Sequence, residues 1–296
     1  MKVIKSSLEL TLSPETGRLL HPILGEIMVW KQHEFHAWWN IFESMMNHPL
    51  SRMLINAFVD SLEIKNLLSP KRGLFGNKKF LSQLKGITET LGWGDVQLQT
   101  YSVSNSAHPL LSVALAQYAL ETYHIQRYKV RWTEPRIQTV QLEVEASNQL
   151  PSPKAHNKFP WSDGPLPSQG KSPGVEFESR NSNELRIEGE RVIVIPTRAI
   201  ERFLMTCLPY AKREIVDWFN HEIDSFSEYE ILLQTFVESV SEMFLHSERP
   251  VYIIDQSSWT SYIDHYLTKR GWGAVQILAY DADSLSLEVG LKLGAN

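Results

Sequence analysis

The sequence predicts an α+β chain built as two tandem repeats, each a helical layer packed on an antiparallel sheet. Three observations predict it. A short motif occurs twice, as Gly92-Trp93-Gly94-Asp95-Val96-Gln97-Leu98 and as Gly271-Trp272-Gly273-Ala274-Val275-Gln276-Ile277. Phe80, Leu84 and Ile87 precede the first Trp at the same distances as Trp259, Ile263 and Tyr266 precede the second. A proline-interleaved stretch lies between the copies. In each copy the order is strands, helices, Gly-Trp-Gly and then strands, and runs of helices followed by runs of antiparallel strands favour a helix layer on one sheet face.

Taken in order, residues 3–12 read as a strand with Val3, Leu8, Leu10 and Leu12 among polar neighbours. Ser13-Pro14-Glu15 reads as a helix start. Leu19, Leu20, Ile23, Leu24 and Ile27 continue it at helical spacing, with a restart at His21-Pro22. An aromatic helix carries Trp30, Phe35, Trp38, Trp39 and Phe42, and a third carries Leu50 to Leu62. A basic glycine-containing loop, with Lys71, Arg72, Lys78 and Lys79, precedes the helix that ends at Trp93. Strands over 96–103, 129–132 and 137–145 flank a helix over 110–123.

Residues 147–184 carry six prolines among Ser, Gly, Asn and Lys, too little apolar surface to offset ordering entropy, and read as a linker. The domains are therefore 1–146 and 185–296. In the second, Leu185 to Ile195 reads as two strands turning at Gly189. Helices follow from Pro196-Thr197, around Trp218, over 231–244 and around Trp259, then a strand pair over 275–293.

The repeated glycines have a physical task. A helix that turns directly into a strand needs positive φ, which Gly adopts at no steric cost. Gly92, Gly94, Gly271 and Gly273 are therefore structural residues, and the Trp between each pair buries against the helix it ends.

Composition excludes several function classes. The 296-residue chain has a formal charge of −5, so it has no general attraction for nucleic acid. Its single cysteine, Cys207, forms neither a disulfide nor a metal cluster and reads as a small buried hydrophobe. No stretch has the apolar length of a membrane span, and the N-terminus lacks the apolar core of a signal peptide, so the expected compartment is the cytoplasm. Nucleophile elbows, Walker loops and dinucleotide fingerprints are absent. His33 and His36, three apart on one helix face, are the candidate metal ligands, although the spacing is not that of His-Glu-x-x-His. Asp217, His221, Glu222 and Asp224 form a second polar cluster. Asn105 to Pro109, with Ser106 and His108, reads as a turn. Trp38, Trp39, Trp93 and Trp272 are the candidate ligand-contacting residues.

A helix ending in Leu-Gly-Trp-Gly or Arg-Gly-Trp-Gly, then Val-Gln-Leu or Val-Gln-Ile and an alternating strand, resembles the 4-vinyl reductase-like domains. Those are related in fold to certain small subunits of the TRAPP vesicle-tethering complex. The Gly189-Glu190-Arg191 turn before Val192 to Pro196 is similar to the opening of such a domain, and 114–123 and 130–144 to its closing helix and strand pair. The resemblance implies an α+β domain, commonly dimeric, that often acts as a small-molecule sensor or binding module with an apolar cavity. Family members often carry cysteines near the domain's end, some implicated in metal binding; this chain has none over 128–145 or 280–296.

The expected function is a non-enzymatic binding module for a small apolar molecule or a protein partner, with its copies packed as a pseudo-dimer and homo-oligomers possible. The alternatives are an enzyme on a hydrophobic or tetrapyrrole substrate, with His33, His36 or His221 in the pocket, and a structural scaffold subunit. No cofactor is named by the residues.

Overall fold

The computed structural model describes residues 4–5, 8–13, 15–71, 73, 75–148, 153, 171–174, 176–180, 184–212, 226–246, 254–281, 284 and 286–292. The first part of the chain holds β1 (Ile4–Lys5), β2 (Thr11–Leu12), β3 (Leu19–His21) and β4 (Gly25–Lys31), then α1 (Gln32–Met45), α2 (Ser51–Ile64) and α3 (Gly76–Leu91). After the first Gly-Trp-Gly come β5 (Asp95–Gln97), β6 (Ser102–Ser104), α4 (Pro109–His124), β7 (Tyr128–Arg136) and β8 (Thr139–Ala146). The rest holds β9 (Glu178–Arg180), β10 (Glu184–Ile187), β11 (Glu190–Pro196), α5 (Thr197–Cys207), α6 (Glu228–Leu245) and α7 (Gln256–Tyr266). A 3-10 turn over Thr268–Arg270 and the strands β12 (Ala274–Asp281) and β13 (Ser286–Lys292) close the described chain.

The fold is mixed α+β with antiparallel sheets. One sheet has the order β1-β9-β10-β11-β4-β3-β2, a second β5-β6-β8-β7, and β12-β13 form a pair. The first sheet joins β1 to β4 with β9 to β11, so strands within 4–31 and 178–196 share one sheet. Its centre is the β4–β11 ladder. The two strands are equal in length and each runs straight into a helix. Lys31 pairs with Val192, Val29 with Val194, and Ile27 with Pro196, a register symmetric about the Val29–Val194 pair. Helices follow the same relation: α1 packs on α6 and α2 on α5. Trp38 and Phe203, each seven residues beyond the end of its strand, meet edge to face at 6.5 Å. One continuous core results, with Trp30, Trp38, Trp93, Phe35, Phe42, Phe58, Phe80 and Phe203 fully buried.

Several sequence expectations are corrected. The described residues of 13–27 are not helical: Leu19–His21 and Gly25–Lys31 form a hairpin. The His21 Nδ1 accepts from the amides of Ile23 and Leu24, and Gly25 takes φ +75°, so the chain reverses where a helix would have continued. Trp30 belongs to β4, and the aromatic helix starts two residues later. Lys78 and Lys79 lie in the first turn of α3 rather than in a loop. The stretch read as a linker contributes β9, paired with β1 and β10, and Phe177 is buried. The helix expected around Trp218, the Asp217 to Asp224 cluster and most of the linker lie outside the described residues.

Candidate functional site

Each Gly-Trp-Gly corner forms where a helical turn ends. Gly92 and Gly271 take φ +69° and +79° as left-handed caps. A Cβ on Gly271 would lie 2.5 Å from the Ile27 carbonyl oxygen, and one on Gly92 3.1 Å from that of Val192. Ile27 and Val192 are each the third residue of a ladder strand, so the Gly271 corner packs against β4 and the Gly92 corner against β11. A Cβ on Gly94 would meet Val103 Cγ1 at 2.8 Å; Gly273, at φ +116°, has open space in that direction and needs Gly for its backbone alone.

The Trp side chains both reach the β4–β11 ladder. The Trp93 indole N–H donates to Val194 O at 2.9 Å, and that of Trp272 to Val29 O at 3.0 Å. The outer strands stop short of these carbonyls, with Leu19 opposite Ile27 and Leu185 opposite Val192. The indoles supply the donors that a longer strand would have supplied. Trp93 is fully buried, and Trp272 lies 4.3 Å from the Trp30 ring. Both were expected as ligand contacts; both use their polar atom on the backbone.

Trp38 and Trp39 fill the space between helices and sheet. Trp38 meets Trp30 at 5.3 Å, Phe42 at 5.4 Å and Phe236 at 5.8 Å, and Trp39 meets Phe203 at 5.8 Å. They interlock as core rather than line an open cavity.

The symmetry is broken at one buried pair. Arg270 forms a two-pronged ion pair with Glu34, both almost fully buried, while its Nε donates to Val29 O at 3.0 Å. Glu34 also accepts from the Lys31 amide at the start of α1. Leu91, which precedes Gly92 as Arg270 precedes Gly271, and Ala199, three residues past β11 as Glu34 is past β4, are apolar and buried.

His33 and His36 are not brought together as ligands. His33 is exposed, whereas His36 Nε2 lies 2.9 Å from Ala107 O, to which Gln32 also donates. The residue that meets His36 is His108, with ring centroids 4.4 Å apart. His108 is buried against Phe35 at the start of α4, and its Nδ1 has no partner. Burial, reinforced by His36, holds the His108 imidazole well below its ordinary range. His36 is lowered too, mainly by burial, with Arg191 adding to it and Ala107 O and Glu134 opposing. Such a pair is a neutral, acid-sensitive joint between α1 and α4. Among the described residues no group of three His, Cys, Asp or Glu is placed to hold a metal.

A cleft of about 280 Å³ lies at the end of α4, lined by Glu63, Leu68, Pro70, Tyr118, Glu121 and Arg127 among others. Arg127 donates to both oxygens of Glu63 at 2.6 Å and to Glu121 at 2.8 Å. The two carboxylates hold the guanidinium pKa above its usual value despite partial burial. The Tyr118 hydroxyl accepts from the Leu68 amide, and burial pushes its pKa up to about 12. The polar wall is a closed ion-pair network with few atoms left to hold a substrate. Sequence reasoning missed this group. Gln117 and Glu121, polar residues inside an otherwise apolar helix, were the available signal. It missed His108 as well, because a turn histidine gives no sign of what it will stack on.

With this geometry in hand, a scan against protein-family models, a search of curated proteins and a search of solved structures each match nothing to this chain. Among the described residues no helix is long and apolar enough to cross a membrane.

Proposed function

We propose that the chain is a non-enzymatic binding module: two copies of a domain resembling the 4-vinyl reductase-like family, folded as an intramolecular pseudo-dimer that holds a protein partner. The observation that carries this reading is the filled interior. Trp30, Trp38, Phe42, Phe203 and Phe236 interlock where an apolar ligand would sit between helix layer and sheet. A module of this kind works through its surface, which also suits a scaffold subunit. The enzyme alternative has less support, because His33 faces solvent and His36 is engaged with a backbone carbonyl.

A second reading, a small-ligand binder, is favoured by the cleft beside Arg127, whose 280 Å³ suits a small molecule. Native mass spectrometry of the purified chain, repeated after denaturation and extraction, separates the two. The partner-binding reading expects the bare chain mass alone or with a second polypeptide. A small excess mass that vanishes on denaturation contradicts it and moves the function to the cleft.

A further inference from the structure

We propose that the tip joining α2 to α3 is a contact surface for anionic lipid membranes, with Phe75 as its inserting side chain and Lys71, Lys78 and Lys79 as its electrostatic grip. In a chain of net charge −5, the segment between Glu63 and Glu89 carries six cations and no acid. Phe75 is 80 % exposed, unusual for a ring that gains so much from burial. Lys71, Lys78, Lys79, Leu81 and Lys85 are also exposed. The tip is held in place rather than left loose. Lys71 donates to the Tyr123 hydroxyl at 3.1 Å and lies 4.7 Å above that ring, and the same hydroxyl donates to Asn77 at 3.1 Å. Tyr123 of α4 therefore fixes the first turn of α3 with Phe75 pointing outward.

Charge and shape together select the occupant. A row of lysines is attracted to the negative potential of acidic lipids. An aromatic ring between basic residues buries in the headgroup boundary. A nucleic acid would satisfy the lysines, but single-strand binders stack successive bases on several aromatic rings, and here Phe75 is exposed while Phe80 is buried. An acidic protein face would satisfy the lysines but leave Phe75 unburied. The surface adds a location to the binding function proposed above and stands whether or not that reading does.

Vesicle flotation of the full chain tests it, using phosphatidylcholine alone and equal parts phosphatidylcholine and phosphatidylserine. The expected result is binding to the acidic vesicles only, weakened by added salt. Lys78→Ala with Lys79→Ala lowers that binding about twenty-five-fold, from about five-fold per cation. Phe75→Ser lowers it about ten-fold at unchanged charge. All three positions are exposed, and an unchanged thermal midpoint confirms that the variants fold. Failure to bind the acidic vesicles overturns the proposal, as does binding that ignores lipid charge or the lysine substitutions. Tighter binding to a single-stranded oligonucleotide than to vesicles, with Phe75→Ser without effect, also overturns it and assigns the tip to nucleic acid.

Discussion

Val29 and Val194 face each other at the centre of the β4–β11 ladder, and the carbonyl of each accepts the indole N–H of a Trp from a repeated motif: Trp272 on Val29 and Trp93 on Val194. Trp93 thus reaches β11 and Trp272 reaches β4, and a fault in either Gly-Trp-Gly corner is felt at the ladder these strands share.

The two indoles differ in what remains after their removal. Trp93→Phe leaves the buried Val194 carbonyl without this donor and is expected to cost about 1–3 kcal/mol. Trp272→Phe leaves Val29 O with the Arg270 Nε bond and is expected to cost less than about 1 kcal/mol. Urea unfolding of both variants measures the difference; equal losses would mean that the crossing bonds are not unequal in this way.

The cap glycines separate conformational strain from contact. Gly92→Ala and Gly271→Ala both meet the left-handed penalty of about 1–2 kcal/mol. The second also forces a methyl to within 2.5 Å of the Ile27 oxygen, where the first has 3.1 Å. Gly271→Ala is therefore the more damaging, and a thermal melt that ranks them the other way would contradict the geometry.

The buried ion pair gives a double-mutant test. Glu34→Ala alone leaves Arg270 charged and buried and costs about 3–5 kcal/mol. Combining it with Arg270→Leu reproduces the apolar pair found at Ala199 and Leu91 and is expected to recover most of that loss. If the double variant is as unstable as the single one, the two positions are not equivalent to their counterparts.

The histidine joint sets a pH dependence. Folding lowers the His108 and His36 values, and also His21, largely through burial. Below about pH 6.5 the unfolded chain binds protons that the folded chain refuses, so stability falls as pH drops and is flat above that value. Asp60 and Asp95, raised chiefly by burial, act in the opposite sense, but only in the carboxylate range. The thermal midpoint at about pH 5.5 lies below that at about pH 7.5, and His108→Gln narrows the gap. An unchanged gap would remove His108 from the explanation.

Much of this was legible in local sequence. Gly92 and Gly271 announced the helix ends, and the hairpin at Gly189 and helices α2, α3 and α4 followed from spacing and caps. The hairpin of β3 and β4 did not, because Leu19, Leu20, Ile23, Leu24 and Ile27 fit a helical face as well as two short strands. Only the turn at His21 and Gly25 decides between them. The crossing of Trp93 to Val194 joins residues a hundred positions apart, and no local pattern encodes such a pairing. His36 drew attention as a ligand, yet its neighbour His108 became visible only once α4 was placed against α1.

The most direct test of the pseudo-dimer is a disulfide at its centre. Val29→Cys with Val194→Cys, in a Cys207→Ser background, places two thiols directly opposite each other across antiparallel strands, where Cβ atoms lie about 4.5–5.5 Å apart. Oxidation is expected to give an intramolecular bond in the monomer, seen as the loss of two hydrogens from the intact mass and faster migration on a non-reducing gel. Free thiols after oxidation, or a bond that joins two chains, would contradict a ladder in which one copy completes the other within a single molecule.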